Sequence, residues 1–599
     1  MSKFNTRPVI MGKRGVVTAG HYLAAEAGIR IMHQGGNAID AAAAMCFCIN
    51  FLEANSNGIG GEVPTLIYSA KESKTYSISG MGWSPKSLTI DWCKRKGVDL
   101  IPGDGYIPAC VPAVVGTWAL ALARFGTMSF SQILQPAIEL CEQGFPIHHE
   151  LSRNLKSSAS KFTEQYPSTA EIYIPEGKPP QPGSILKNPD LARTLQIMCN
   201  AEREAQGKGR IAGIEAAKDA FYKGKIAEEI LSFISKTPLE DETGQTNTGL
   251  LSYEDFAEWD AVTEEPTTYE YKGLEIQKCG PWTQGPTFLQ HLALLNGTDI
   301  KNLEHNSSTY LHRWLETAKL AFADREAYYG DPDFDNVPMN ILLSEQYNRD
   351  RQQLITDTAS LEMRPGDIGN GIPDFVSRKV AEDNRIALNI QTADSSYLSG
   401  VHDHGGDTTH LDAIDFEGNM VASTPSGGWI GTSPVIKGLG FPLGTRGQMF
   451  YLNPERPNAL EPRKRPRATL TPTSVTKNNR PYMVFGTPGG DRQEQWTLQF
   501  FLNYIEFGMD LQEALDKPTL YSQHFPSSFY PRAEYPGLVM ADPLIGSDVL
   551  EELGSRGHEI KMLEPWTGGK VLAIRYYEDT GVIAGAASAK GDIGYSIGW

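Results

Sequence analysis

One junction constrains this chain more than any other. It is HDHGGDTTHLDAIDFEGNMV, from His402 to Val421. Gly405-Gly406-Asp407 is pliable backbone, and it ends abruptly in Thr408-Thr409-His410 at the mouth of a strand pattern. Gly418-Asn419 then turns the chain back into MVASTP. The texture changes at this point: helical patterns dominate before it, and strands and hairpins follow. PTSVTKNNRPYMVFGTPGG repeats the hairpin plan around Asn478-Asn479, and RQEQWTLQFFLNYIEFG reads as a helix closed by Gly508. Helices first, then hairpins that feed helices, predict an α+β layered core.

Upstream, HYLAAEAGIRIMHQGGNAIDAAAAMCFCINFLEA reads as two helices broken at Gly35-Gly36, with Gly35 a left-handed stop. NGIGGEVPTLIYSA is a glycine-rich turn into a strand. It lacks the Gly-Lys-Ser/Thr of a phosphate-binding loop. SFSQILQPAIELCEQG takes Ser129 or Ser131 as its cap and Gly144 as its stop. The region from about 150 to 270 is more polar and reads as helical, and SSTYLHRWLETAKLAFADREAYYGDP is an amphipathic helix ending near Gly330. The segment from about 370 to 407 is polar and glycine-interrupted, and reads as a mobile linker.

Composition excludes some partners. The net charge is -18, from 54 Lys and Arg against 72 Asp and Glu, so neither a nucleic-acid backbone nor an anionic membrane surface is expected. No signal peptide and no membrane-spanning run are read from the sequence. Seven cysteines, none after Cys279, point to reduced thiols and a cytoplasmic location, and no disulfide can reach the segment from Thr408 onward.

A hydroxyl nucleophile needs a base. A threonine freed at an N-terminus supplies its own, because an α-amine titrates near pH 7.7–8.0. Pliable residues before the bond help to strain it for cutting, and a strand after it holds the new terminus still. Gly405-Gly406-Asp407 and Thr408–Asp415 fit both needs, although a surface hairpin also accounts for such a stretch. His402, His404 and His410 offer zinc-type ligands, but the first two lie in the loop that would depart, so no metal and no cofactor are expected.

Blocks spread over nearly the whole chain resemble the gamma-glutamyltranspeptidase family of N-terminal-nucleophile hydrolases. They are AAEAGIRIMHQGGNAIDAAAA, NGIGGE, VPAVVGTWALALARFGTMSFSQILQPAIELCEQGFPI, TTHLDAIDFEGNMVASTPS, PRATLTPT, FGTPGGDR and FGMDLQEALDKPTLYSQHFP. The resemblance implies a four-layer αββα sandwich formed jointly by two chains. A precursor would cut itself between Asp407 and Thr408 into a large subunit (1–407) and a small one (408–599). Thr408 would be the nucleophile, Thr409 its neighbour in processing and Ser426 the second hydroxyl beside it. Gly489 and Gly490 would form the oxyanion site, and the substrate would be a small amide.

The resemblance breaks where the family reads the charged head of glutamate. GMGWSPK, with Met81 and Trp83, stands where the family carries an arginine, and Gly428 replaces an asparagine. Gln448 alone is kept from a block that holds an acidic residue, Ala468-Thr469 replaces a serine pair, and Glu62 follows Gly61 in an altered glycine block. Arg446 is the candidate replacement cation, with Gln448, Thr469 and Trp83 as further substrate contacts. The sequence therefore reads as an acylase or amidohydrolase that favours a glutaryl-like or smaller acyl group. A true gamma-glutamyltransferase or glutathione hydrolase, and an uncleaved non-catalytic scaffold, are the alternatives.

Overall fold

The computed structural model describes residues 5–375, 408–590 and 593–599. His402, His404, Gly405, Gly406, Asp407 and most of the segment read as a linker lie outside the described residues.

Two seven-stranded sheets organise the chain. The first runs, edge to edge, Ile10–Gly12, Val582–Ala587, Leu572–Tyr577, Arg480–Gly486, Thr473–Lys477, Leu274–Lys278 and Thr267–Tyr271. The second runs Tyr595–Gly598, Gly15–Ala19, Leu411–Asp415, Met420–Ser423, Thr65–Ser69, Lys74–Ile78 and Thr263–Glu264. Every neighbouring pair in both is antiparallel. Seven of these strands precede Thr408, so the division into helices before and strands after is too sharp. The strands at 263–278 fall in and just beyond the region read as helical. Their alternation is masked by polar residues: Thr267–Tyr271 is partly exposed, and Leu274–Lys278 buries Gln277 and Lys278.

The period of two in Leu411–Asp415 sorts its side chains onto two faces. Leu411 and Ala413 join Val17, Ala19 and Val421 against the buried helix Ala38–Leu52. That helix is all but free of bulky residues in its first half, AIDAAAA, and Asn37 and Asp40 cap it reciprocally. Ile414 points the other way. With Val16, Met420 and Ala422 it packs on Val484, Ile574 and Ile583 of the first sheet. The outer face of the first sheet is covered by helices Gly285–Leu295, Ser308–Tyr328 and Gln493–Ile505, through Ile276, Val475, Met483 and Phe485.

Several turn readings meet their geometry. Gly35, Gly144, Gly418 and Gly508 all have positive φ, as do Asn478 and Asn479. Ser129, not Ser131, caps its helix. All seven cysteines are buried and unpaired. Among the described residues no helix is long and apolar enough to cross a membrane.

Ile414 is fully buried between the sheets, so Ile414→Ala should destabilise the protein by about 2–5 kcal/mol. Phe416→Ala, on the exposed tip of the same hairpin, should stay within about 0.5 kcal/mol. Urea midpoints of the two variants check both values.

Candidate functional site

The second sheet carries the site at one end. Beyond the strands, pairing continues in single bridges: Thr408 pairs with Ser426, and Ser426 pairs with Glu62. Thr408 is 4% exposed, and its Oγ1 lies 3.2 Å from Ser426 Oγ. Thr409 N–H donates to Pro425 O at 3.1 Å. The hydroxyl of Thr409 comes close to Gly20. A side chain on Gly20 would place its Cβ 2.2 Å from Thr409 Oγ1 and 2.9 Å from Glu53 Oε2, so only glycine fits there.

His410 anchors the start of the strand. Its Nδ1 lies 2.9 Å from Thr424 Oγ1 and its Nε2 2.8 Å from Asp412 Oδ1. Asp412 also accepts from Thr18 Oγ1 at 3.0 Å. Burial pushes the Asp412 carboxyl up, and His410 opposes that shift. Both ring nitrogens of His410 are thus engaged in the core, which leaves no lone pair aimed at a metal.

Gly427 and Gly428 turn the chain after Ser426 with φ of +70° and +62°. A Cβ on Gly428 would stand 2.9 Å from Gly61 N, which gives a physical reason for the missing asparagine. Arg446, the candidate substrate cation, lies beside Ser426. Its guanidinium is fully buried, ion-paired with Glu62, and donates from Nη2 to Ser426 Oγ at 2.7 Å. Its Cζ lies 4.8 Å from the Trp429 ring centroid and 5.7 Å from that of Phe529. A cation held this way already has a carboxylate partner within the protein. Burial pushes the Glu62 carboxyl up, and the Arg446 charge opposes the shift.

The glycine pair lies where strand Arg480–Gly486 gives way to helix Gln493–Ile505. Gly489 and Gly490 have φ of +124° and +55°, and a short helical turn, Gly490–Arg492, leads into the helix. Gln284 Nε2 donates to both Gly490 O and Thr469 O at 2.9 Å. Arg325 Nη1 in turn donates to Gln284 Oε1 at 2.7 Å, and Arg325 also pairs with Asp491. Asp491 accepts from Ser528 N at 2.8 Å and from Ser528 Oγ at 2.6 Å. Behind this, burial works to raise the Glu326 carboxyl. Arg467, Arg325 and Arg456 outweigh it and hold that group well below the usual carboxylate range.

The remaining sequence candidates divide. Thr469 lies beside the glycine loop through Gln284, and its Oγ1 is buried with no hydrogen-bond partner among the described residues. Gln448 is tied to backbone: its amide donates to Gly103 O and Thr445 O, both at 3.2 Å, and accepts from Tyr530 N at 3.1 Å. Trp83 is engaged elsewhere, donating to Asp255 O at 3.1 Å beneath the Arg463 guanidinium. Met81 packs in an apolar cluster with Ala468 and Trp282. Sequence reasoning passed over Gln284, Arg325, Asp491 and Phe529, and noted Glu62 only as a departure.

One described group, His312, Glu316 and His558, brings metal-type ligand atoms within 4.8 Å of one another. Glu316 is already bound by Lys319 at 2.7 Å and by Arg364 at 3.0 Å. A divalent cation there would add charge to a buried cluster that already holds two cations, and the group does not suit a metal.

The gamma-glutamyltranspeptidase family model matches residues 24–596. The glutathione hydrolase proenzyme of Bacillus subtilis (strain 168) is 30% identical over 590 residues, covering 97% of this chain and 91% of that one. The solved structure of LmbA2991HD is 37% identical and superposes with a TM-score of 0.89 over 100% of both chains. The cephalosporin acylase from Bacillus halodurans is 28% identical with a TM-score of 0.82, covering 100% of this chain and 98% of that one. With the family match running through both sheets and the Thr408 cluster, the chain belongs to the gamma-glutamyltranspeptidase family.

Proposed function

We propose that the protein is a self-processing amide hydrolase that acts through an acyl-enzyme on Thr408. The observation that carries this reading is the placement of Thr408: a buried hydroxyl at the head of a central strand, 3.2 Å from Ser426 Oγ. Cleavage before Thr408 gives chains 1–407 and 408–599, which together form an αββα sandwich. The helix-covered outer faces and the apolar contact between the sheets support that layering.

In the reaction, Thr408 Oγ attacks the amide carbon while the α-amine of Thr408 takes the hydroxyl proton. The carbonyl oxygen becomes an oxyanion facing backbone N–H groups at Gly489 and Gly490. The C–N bond breaks, the amine leaves with the proton from the ammonium, and an ester remains on Thr408. Water, deprotonated by the same amine, attacks the ester. The acid leaves and Thr408 regains its proton. An amine in place of water gives transfer instead. No cofactor is needed, because the chain's own terminus is the base.

The acyl group in this reading lacks the γ-glutamyl head. Met81 is apolar, Gly428 has no side chain, and Arg446 is held by Glu62. Half-buried Phe529, next to Gly490, offers the acyl chain an apolar wall. The structural likeness to a cephalosporin acylase supports this direction. The likeness to a glutathione hydrolase favours a second reading, a gamma-glutamyl enzyme with rebuilt head-group contacts.

Two measurements test the proposal. A denaturing gel should show two chains, of 407 and 192 residues (599 minus 407), and the smaller should begin Thr-Thr-His-Leu-Asp. A single band, or another N-terminus, removes Thr408 as nucleophile. Among anilides, a neutral acyl group should exceed γ-glutamyl in kcat/KM. A tenfold advantage for γ-glutamyl, about 1.4 kcal/mol, would select the second reading.

A further inference from the structure

Glu62, Ser426 and Thr408 stand abreast. Glu62 N–H donates to Ser426 O, and Ser426 N–H donates to Glu62 O, both at 2.9 Å; Thr408 bridges Ser426 on the other side. The side chains form a second line. The Glu62 carboxylate holds Arg446, Arg446 donates to Ser426 Oγ at 2.7 Å, and Ser426 Oγ meets Thr408 Oγ1 at 3.2 Å. All four residues are buried. Gly427 makes room for the carboxylate, since a Cβ there would sit 2.2 Å from Glu62 Oε2.

The donor rules give this line a direction. A guanidinium has only donors, so at the Arg446 contact the Ser426 oxygen accepts. A hydroxyl that accepts from a cation becomes a stronger donor itself. Donated to Thr408 Oγ1, that proton stabilises the oxygen as it loses its own to the α-amine. Glu62 has two effects. It neutralises a buried cation that would otherwise be costly, and it fills the edge of the guanidinium that a substrate carboxylate would need.

We propose that Glu62 and Arg446 are a positioning pair for the nucleophile: Arg446 turns the Ser426 hydroxyl onto Thr408, and Glu62, by holding Arg446, closes the site to acyl groups that carry a carboxylate. This rests on the reading of Thr408 as nucleophile and deepens it with a rule for the substrate. Neither residue touches the reacting atoms, so each acts through Ser426.

A double-mutant cycle separates positioning from general structural support. R446M should lower kcat about 10–100-fold when Ser426 is present, and less than threefold in the S426A background. Equal losses in the two backgrounds would overturn the positioning role. Where turnover is too low to measure, the uncut precursor fraction gives the same comparison. It should rise in R446M and rise no further in R446M/S426A than in S426A. The substrate rule has its own arm. E62A removes the carboxylate that occupies the guanidinium edge. The kcat/KM ratio of glutaryl anilide to butyryl anilide should then rise at least tenfold, and free glutarate should become a competitive inhibitor. An unchanged ratio in folded, processed E62A would overturn the rule. Failure of the underlying reading is distinct, because the wild-type small chain would then not begin at Thr408.

Discussion

Thr408→Ala should run as one uncut chain of 599 residues and show no turnover above background. Loss of the hydroxyl removes the attacking atom for both processing and catalysis, and deleting such a nucleophile lowers kcat by on the order of 10⁶. The fold should survive. The Thr408–Ser426 bridge is made by backbone, and the side chain contributes one hydrogen bond, worth about 1 kcal/mol. Thr408→Ser keeps the oxygen and should still process and turn over, though more slowly, because the methyl that restricts its χ1 is gone. Two bands from Thr408→Ala would place the cut, and with it the nucleophile, at another residue. A single band from a wild-type preparation would instead favour the uncleaved scaffold.

The sequence carried the local chemistry of this site better than its electrostatics. Thr408, Ser426, Gly489 and Gly490 lie in short motifs whose turns and strands are dictated by nearby residues. The hairpin at Gly418-Asn419 sets the register of Leu411–Asp415, and that register decides which side chains meet the helices. Arg446 shows where such reasoning stops. Its partner Glu62 is 384 residues away in the chain, and pairing over that distance depends on how the sheet closes. The same holds for Gln284, which reaches Gly490 across 206 residues, and for Arg325 with Asp491 across 166. A signal was present for Arg325. The run FADREAYYG places three adjacent charged residues in a helix that is buried almost throughout, and buried charges demand partners. For Glu62 the signal was a lone carboxylate inside a glycine block, where it had no local use. Trp83 and Gln448 show a second limit. Position beside a family motif suggested contact with substrate, yet the polar atoms of both are taken by backbone.

Gly490→Val should lower kcat by about 10²–10³-fold, or roughly 3–4 kcal/mol of barrier, the cost of one lost oxyanion donor. Two features of the position lead to this. Its φ of +55° lies in the left-handed region, which β-branched residues avoid at a cost of about 1–3 kcal/mol. Its Cβ would also fall 2.9 Å from Phe529 Cε2, so ring or backbone must shift. Gln284 and the Asp491 network grip this loop through Gly490 O and the next residue, which restricts any relaxation of the backbone. The N–H groups of Gly489 and Gly490 should therefore lose their aim while the sheets stay intact. The melting temperature should fall by only a few degrees, consistent with a strain of that size in a large chain. Phe529→Ala in the same background, read against Phe529→Ala alone because that ring also walls the acyl site, separates the two causes. If crowding against the ring dominates, the second substitution restores most of the turnover. If the left-handed backbone dominates, turnover stays low. Wild-type turnover in a folded, processed Gly490→Val protein would place the oxyanion site on other donors, and Thr469, with its buried hydroxyl beside the same loop, would be the next residue to test.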